Sequence, residues 1–114
     1  MTKLTKVYDR FDVVVVPFPF IDAETSKNRP ALIISSSKNF SKEAIVMAMI
    51  TSALHTPWPL DVKIKDLEIA GLPVPSLIRM KLFTLDHRLI IRKAGSLGAK
   101  DQASFSKNLK LLFE

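Results

Sequence analysis

Cysteine is absent from the 114-residue chain. Disulfides, thiol nucleophiles and thiolate metal sites are thereby excluded, and the composition fits a reducing compartment, so a cytoplasmic location is expected. Glycine is scarce, with three residues, and none forms a Gly-rich phosphate loop. The two histidines, His55 and His87, are too far apart for a His-x-x-x-His pair, and no acidic cluster accompanies them, so no metal site is expected. A G-x-S-x-G nucleophile elbow is missing as well. The longest apolar run, "VVVVPFPF", carries two prolines and is far too short to cross a bilayer. The basic opening "MTKLTKVYDR" is not followed by the apolar segment and small-residue cleavage site of a secretory signal. Neither a cofactor nor a membrane partner is expected, and any catalysis has to run on Arg, Thr, Ser, His, Lys or carboxylates.

What is present is apolar and basic. A hydrophobic fraction of 47% is enough for one compact core, and residues 1–114 read as a single domain. Seventeen Lys and Arg against eleven Asp and Glu leave a net charge of +6. A basic surface favours polyanions such as nucleic acid, an acidic protein or anionic lipid, although the same balance also simply keeps a chain soluble. Nucleic acid is the preferred reading.

Alternation and turn residues divide the chain into short strands. Residues 11–17 form a valine-rich strand ended by Pro17 and Pro19. A polar loop, "FIDAETSKN", leads to a second strand at residues 30–35, with Pro30 as its first residue. Residues 43 or 44 to 51 make a third; "EAIVMAMI" taken alone also suits a helix, but its shortness and turn-rich flanks favour a strand. An irregular stretch around Trp58, the alternating "DVKIK" and one helical turn in "DLEIAGLPVP" follow. Residues 77–85 form a further strand, and residues 88–93 are expected as its hairpin partner across a turn at Asp86 and His87. The one convincing helix spans about residues 99–113, with Phe105, Leu109 and Leu112 on one stripe, Gly98 as N-cap and Asp101 suited to the helix dipole. Short strands with a terminal helix suggest a small, strongly bent sheet or barrel.

One juxtaposition carries chemistry. If the second and third strands form a hairpin about Phe40, residue 35 faces 45, and Arg29 faces Thr51 on the same side of the sheet. A one-residue slip would separate them. A guanidinium beside a hydroxyl suits a phosphodiester, since Arg binds two phosphate oxygens and stabilises the extra charge of a pentavalent transition state. RNA brings its own nucleophile, the 2′-hydroxyl, so no metal-activated water is needed. The residues equally allow an edge arginine paired with a nearby carboxylate and Thr51 as an ordinary strand former.

The ordered set "DVVVVPFPFID", "KNRPALIIS" and "MITS", followed by "LFTLDHRLI" and "KAGSLGAKD", resembles the MazF/PemK toxins of toxin–antitoxin systems. The resemblance covers nearly the whole chain. It implies a mainly β, small SH3-like barrel of the MazF/PemK/CcdB type with a C-terminal helix, assembled as a homodimer. It also implies a metal-independent endoribonuclease that cuts single-stranded RNA, messenger RNA foremost, at short motifs through a 2′,3′-cyclic phosphate, and a cognate antitoxin that neutralises it. The family's catalytic arginine falls on Arg29 and its catalytic threonine on Thr51, while the loop over residues 20–28 would gate substrate. The chain departs from the pattern at Phe11, where a glycine is common, and at Lys81-Leu82-Phe83, in place of a Gln-x-Arg segment. Base preference therefore does not carry over.

Further candidates for substrate contact are Phe18, Phe20, Lys27, Asn28, Ser52, His55, Trp58 and Lys81, with Lys38 as another possible phosphate contact. Histidine suits acid–base work near neutrality, so His55 could protonate the leaving 5′-oxygen; it could also be a surface residue. Trp58 could stack on an unpaired base or plug the core. Phe18 and Phe20 flank prolines, where packing is their commoner role, and His87 reads as a turn residue. Two other functions compete with RNA cleavage. One is a non-catalytic poison of gyrase like CcdB, and the other a barrel that binds nucleic acid without cutting it.

Overall fold

The computed structural model describes residues 7–18 and 27–114. Six strands follow in order, β1 Asp12–Phe18, β2 Lys27–Ile33, β3 Ile45–Ser52, β4 Val62–Lys63, β5 Ser76–Leu85 and β6 Arg92–Ser96. A short helix, α1 (Leu67–Ala70), sits between β4 and β5, and α2 (Ala99–Leu112) closes the chain. The strands form one antiparallel sheet in the order β4-β5-β3-β2-β1-β6. Its register breaks between Val13 and Val14 opposite β6, and between Ala48 and Met49 opposite β5. Such bulges sharpen the local twist, and the sheet curls into a half-barrel with the C-terminal helix against it, which is the mainly β architecture expected.

Strand alternation sends successive side chains to opposite faces. Val13, Leu32, Ala48, Ile50 and Ile78 point to one face and build a core with Phe105 of α2. Val14, Val16, Ala31, Ile33 and Met47 point to the other and form a second apolar cluster with Ile90. The first face is closed by α2. Phe105 is 0% exposed, and Asp101 in the first turn is buried, accepting the backbone N–H groups of Lys65 and Asp66 at 3.0 Å. Asp101 thus ties α2 to the segment after β4, a role beyond the dipole. The expected apolar stripe is buried only in part, since Leu112 is exposed.

Three expectations change. Pro30 is not the first residue of its strand, because β2 begins at Lys27 and pairs with β1 throughout, from Phe18↔Lys27 to Val13↔Leu32. The Ile34 N–H bonds to the Val46 carbonyl, so by alternation residues 32 and 30 turn the same backbone edge toward β3. Pro30 has no N–H to offer there, and the recorded β2–β3 ladder begins at Ala31↔Met49. Second, residues 88–93 are not the hairpin partner of β5. The Asp86 side chain accepts the Arg88 N–H and caps a 3₁₀ turn at His87–Leu89, after which the chain crosses to β1. β5 is already paired by β3 and β4, so β6 takes the free edge of β1, from Asp12↔Ser96 to Val15↔Arg92. Third, "DVKIK" yields only the two-residue β4, with Ile64 buried just after it. α1 behaves as expected of one helical turn. Asp66 caps it, and it stops at Gly71, whose φ of 71° and closeness to the Ala94 carbonyl, 2.0 Å from where a Cβ would stand, both require glycine.

Candidate functional site

The site lies on the face not covered by α2, at the end of the sheet away from the β2–β3 connection. The assumed hairpin register holds where the ladder is recorded, at Ala31↔Met49, Leu32↔Ala48 and Ile33↔Met47. Arg29 and Thr51 are two residues beyond Ala31 and Met49 and share their face. Both line one open cleft of about 240 Å³, together with Phe18, Met49, His55 and Arg79.

Arg29 opposes Val16 of β1 and is half-buried. Its Nε is buried and, among the described residues, has no hydrogen-bond partner. An unmet buried donor costs roughly 1–3 kcal/mol, so it persists where something other than stability is served. Thr51 is 7% exposed, and its Oγ1 lies 2.8 Å from His55 Nδ1. The chain turns sharply after β3 to bring His55 back. The Ser52 hydroxyl accepts the Leu54 N–H and the Ser52 carbonyl accepts the His55 N–H, each at 3.2 Å.

Arg79 is the cleft residue that inspection of the sequence misses. It stands opposite Met49 on β5 and is 8% exposed. Its Nε and Nη2 donate to Asp61 at 3.2 and 3.0 Å, and Nη2 also donates to the Thr56 carbonyl at 2.7 Å. The guanidinium carbon lies 4.9 Å from the centre of the Trp58 ring. In "SLIRMKL" the alternation alone shows a cation between apolar residues; the partner segments needed to interpret it are distant in sequence. Asp61 compensates Arg79, whereas Arg29 makes no ion pair among the described residues.

The remaining candidates divide. Phe18 lines the cleft and packs against Phe83, ring centres 5.5 Å apart. Lys27 shares the face of Arg29 by alternation and is exposed, outside the cleft lining, while Asn28 points to the opposite face. Ser52 shapes the turn instead of lining the cleft. Trp58 is 45% exposed beside Arg79, with Lys81 Nζ 6.0 Å from its ring; neither lines the cleft. Lys38 belongs to the connection at the other end of β2 and β3. His87 lines a different cavity with Tyr8, Phe40 and Lys42. Phe20 and most of the expected gating loop lie outside the described residues. Among the described residues no group of three or more His, Asp or Glu side chains is placed to hold a metal ion.

A family model described as PemK-like, MazF-like toxin of type II toxin-antitoxin system matches residues 9–113. The chain belongs to this family. No curated protein matches it, but solved structures do. A crystal structure of MazF from Deinococcus radiodurans superposes with a TM-score of 0.72 at 22% identity, over 96% of this chain and 98% of that one. MazF in a MazE-MazF crystal structure from the same organism gives 0.74 at 18% identity, over 95% and 97%. An endoribonuclease in complex with its cognate antitoxin, from a mycobacterial species, gives 0.73 at 14% identity, over 94% and 95%. At these identities the likeness is one of fold. It extends along the whole sheet and so places the MazF/PemK toxin on the architecture expected from its motifs. Among its described residues, no helix is long and apolar enough to cross a membrane.

Proposed function

We propose that this MazF/PemK toxin is a metal-independent, sequence-selective endoribonuclease that cuts single-stranded RNA, messenger RNA foremost, in the cytoplasm. In this reading it works as a homodimer and is neutralised by a cognate antitoxin. The observation that carries the proposal is the convergence, in one cleft, of Arg29 with an unmet buried donor and the hydrogen-bonded pair of Thr51 and His55.

The reaction follows from the groups present. The 2′-hydroxyl attacks phosphorus, losing its proton to solvent, as the bond to the 5′-oxygen breaks and that oxygen takes up a proton, giving a 2′,3′-cyclic phosphate and a 5′-hydroxyl. Arg29 neutralises the charge that builds on the non-bridging oxygens, and its free Nε–H gains a partner when phosphate enters. The role of its charge is preferred over proton transfer, because guanidinium is a very weak acid. With His55 protonated, Nδ1–H donates to Thr51 Oγ1. The Thr51 O–H is then directed to a phosphate oxygen, and Nε2–H is available to the leaving 5′-oxygen. Phe18, which lines the cleft, and Trp58, exposed beside Arg79, offer aromatic rings for unpaired bases.

Incubation of a long RNA with the purified chain in EDTA tests the proposal. The wild type should cut, leaving cyclic phosphate ends, and Arg29→Ala should slow cutting by roughly 100–1,000-fold. Replacing the 2′-hydroxyl by hydrogen at the cut site should abolish it. Intact RNA at high protein concentration overturns the proposal. Gyrase inhibition with intact RNA would then favour a CcdB-like poison, and salt-sensitive binding without cutting would favour a plain nucleic-acid module.

A further inference from the structure

Arg79 stands at the wall of the cleft, but Nε and Nη2 are already engaged. Three of its hydrogen bonds go to Asp61 and to the Thr56 carbonyl. Asp61 Oδ2 also accepts the Trp58 backbone N–H at 2.8 Å. One arginine on β5 therefore grips residues 53–61 directly at 56 and 61, and at 58 through Asp61. The same segment carries His55, one residue before the carbonyl that Arg79 holds. His55 is exposed, on an irregular stretch containing Pro57 and Pro59. An exposed ring on such a segment loses conformational entropy when held against a hydroxyl, and the cost falls if the backbone is already fixed. Arg79 is 8% exposed and Asp61 is half-buried, so the fork between them is shielded and directional.

We propose that Arg79 is a positioning residue: its fork to Asp61 and Thr56 fixes residues 53–61 so that His55 stays on Thr51 in the cleft. This rests on the ribonuclease reading of the site. Its competitor is a direct contact from Arg79 Nη1, which takes no part in the bonds to Asp61 and Thr56, to the RNA phosphate.

Arg79→Lys keeps the charge and loses the fork. Single-turnover cleavage of a short RNA should slow about tenfold, while the RNA concentration giving half-maximal rate changes less than about twofold. In a His55→Ala background the same substitution should have no further effect. Losses that multiply, or a change confined to half-saturation, overturn the proposal in favour of the phosphate contact. The ring-nitrogen NMR signals of His55 give a readout independent of cleavage. The wild type should show one fixed hydrogen-bonding state of Nδ1, and Arg79→Lys an average over several. A ring already averaged in the wild type overturns the proposal with no variant needed, as does an unchanged pattern in a folded Arg79→Lys. If the wild type and Arg29→Ala leave RNA equally intact, the ribonuclease reading fails, while the ring signals still decide whether Arg79 holds the segment.

Discussion

The same strands build two unlike faces. On one, Val13, Leu32, Ile50 and Ile78 lie against α2, and Phe105 is fully buried among them. On the other, Val14, Ala31 and Met47 start an apolar cluster to which, among the described residues, no α-helix contributes a buried side chain. That cluster gives way at one end to Met49, Arg29, Thr51 and Arg79. The neighbours along each strand differ in kind: Leu32 faces the helix while Ala31 lies on the cleft face, and Ile50 is core while Thr51 meets His55. A face sealed by a helix tolerates little but apolar groups, because an unmet polar atom there has no later partner. An open face can keep one, such as Arg29 Nε, for a ligand to satisfy.

Substitutions on the two faces should therefore separate stability from activity. The largest effect is expected at Phe105→Ala. It should cost about 3–5 kcal/mol in urea unfolding while leaving RNA cleavage per folded molecule within about twofold. A loss below about 1 kcal/mol would mean that the helix-covered face is not the main source of stability. Thr51→Val keeps the shape of the side chain and removes the hydroxyl. Cleavage should fall about tenfold, with stability changed by no more than about 1 kcal/mol, the range of one hydrogen bond. The reverse pattern, a large stability loss with unchanged cleavage, would exchange the roles assigned to the faces.

The smallest effect concerns Asp86, which belongs to the turn before β6. Hydrogen bonds from the Arg88 side chain and backbone pull its carboxyl from the usual 3.8 to about 2. A carboxylate held low in the folded state stabilises the fold above its unfolded value, and that contribution is lost as pH falls through about 2. The wild-type melting temperature should drop between roughly pH 4 and pH 2, and Asp86→Asn should flatten part of the drop. The remaining slope includes Asp9, whose carboxyl the N–H groups of Ser37 and Arg10 hold low. Identical slopes for both chains would remove Asp86 from the account.

Much of this was legible in the residues, for local reasons. The short apolar, β-branched runs in "DVVVV" and "ALII" mark strands wherever they pair. The β2–β3 connection is short enough for the Arg29–Thr51 register to follow from hairpin arithmetic, and the recorded ladder follows that register. His55 was visible four residues past Thr51, but its hydrogen bond was not, because the turn made by Ser52 decides where the ring goes. Pro30 read as a strand start because its missing donor was assigned to no particular neighbour. The sheet shows that only the β3 side lacks it, so β2 runs on to Lys27.

By itself, then, the sequence indicated most of the element types, the apolar runs and the family motifs, and put Arg29 and Thr51 on one face once a hairpin register was assumed. Each depends on residues close along the chain or on one short hairpin. Only the tertiary structure decided that β6 pairs with β1, and that Arg79, Asp61 and Thr56 meet beside the cleft. Those outcomes depend on which sheet edge is still free and on segments far apart in sequence coming into contact, and neither is written in any local pattern.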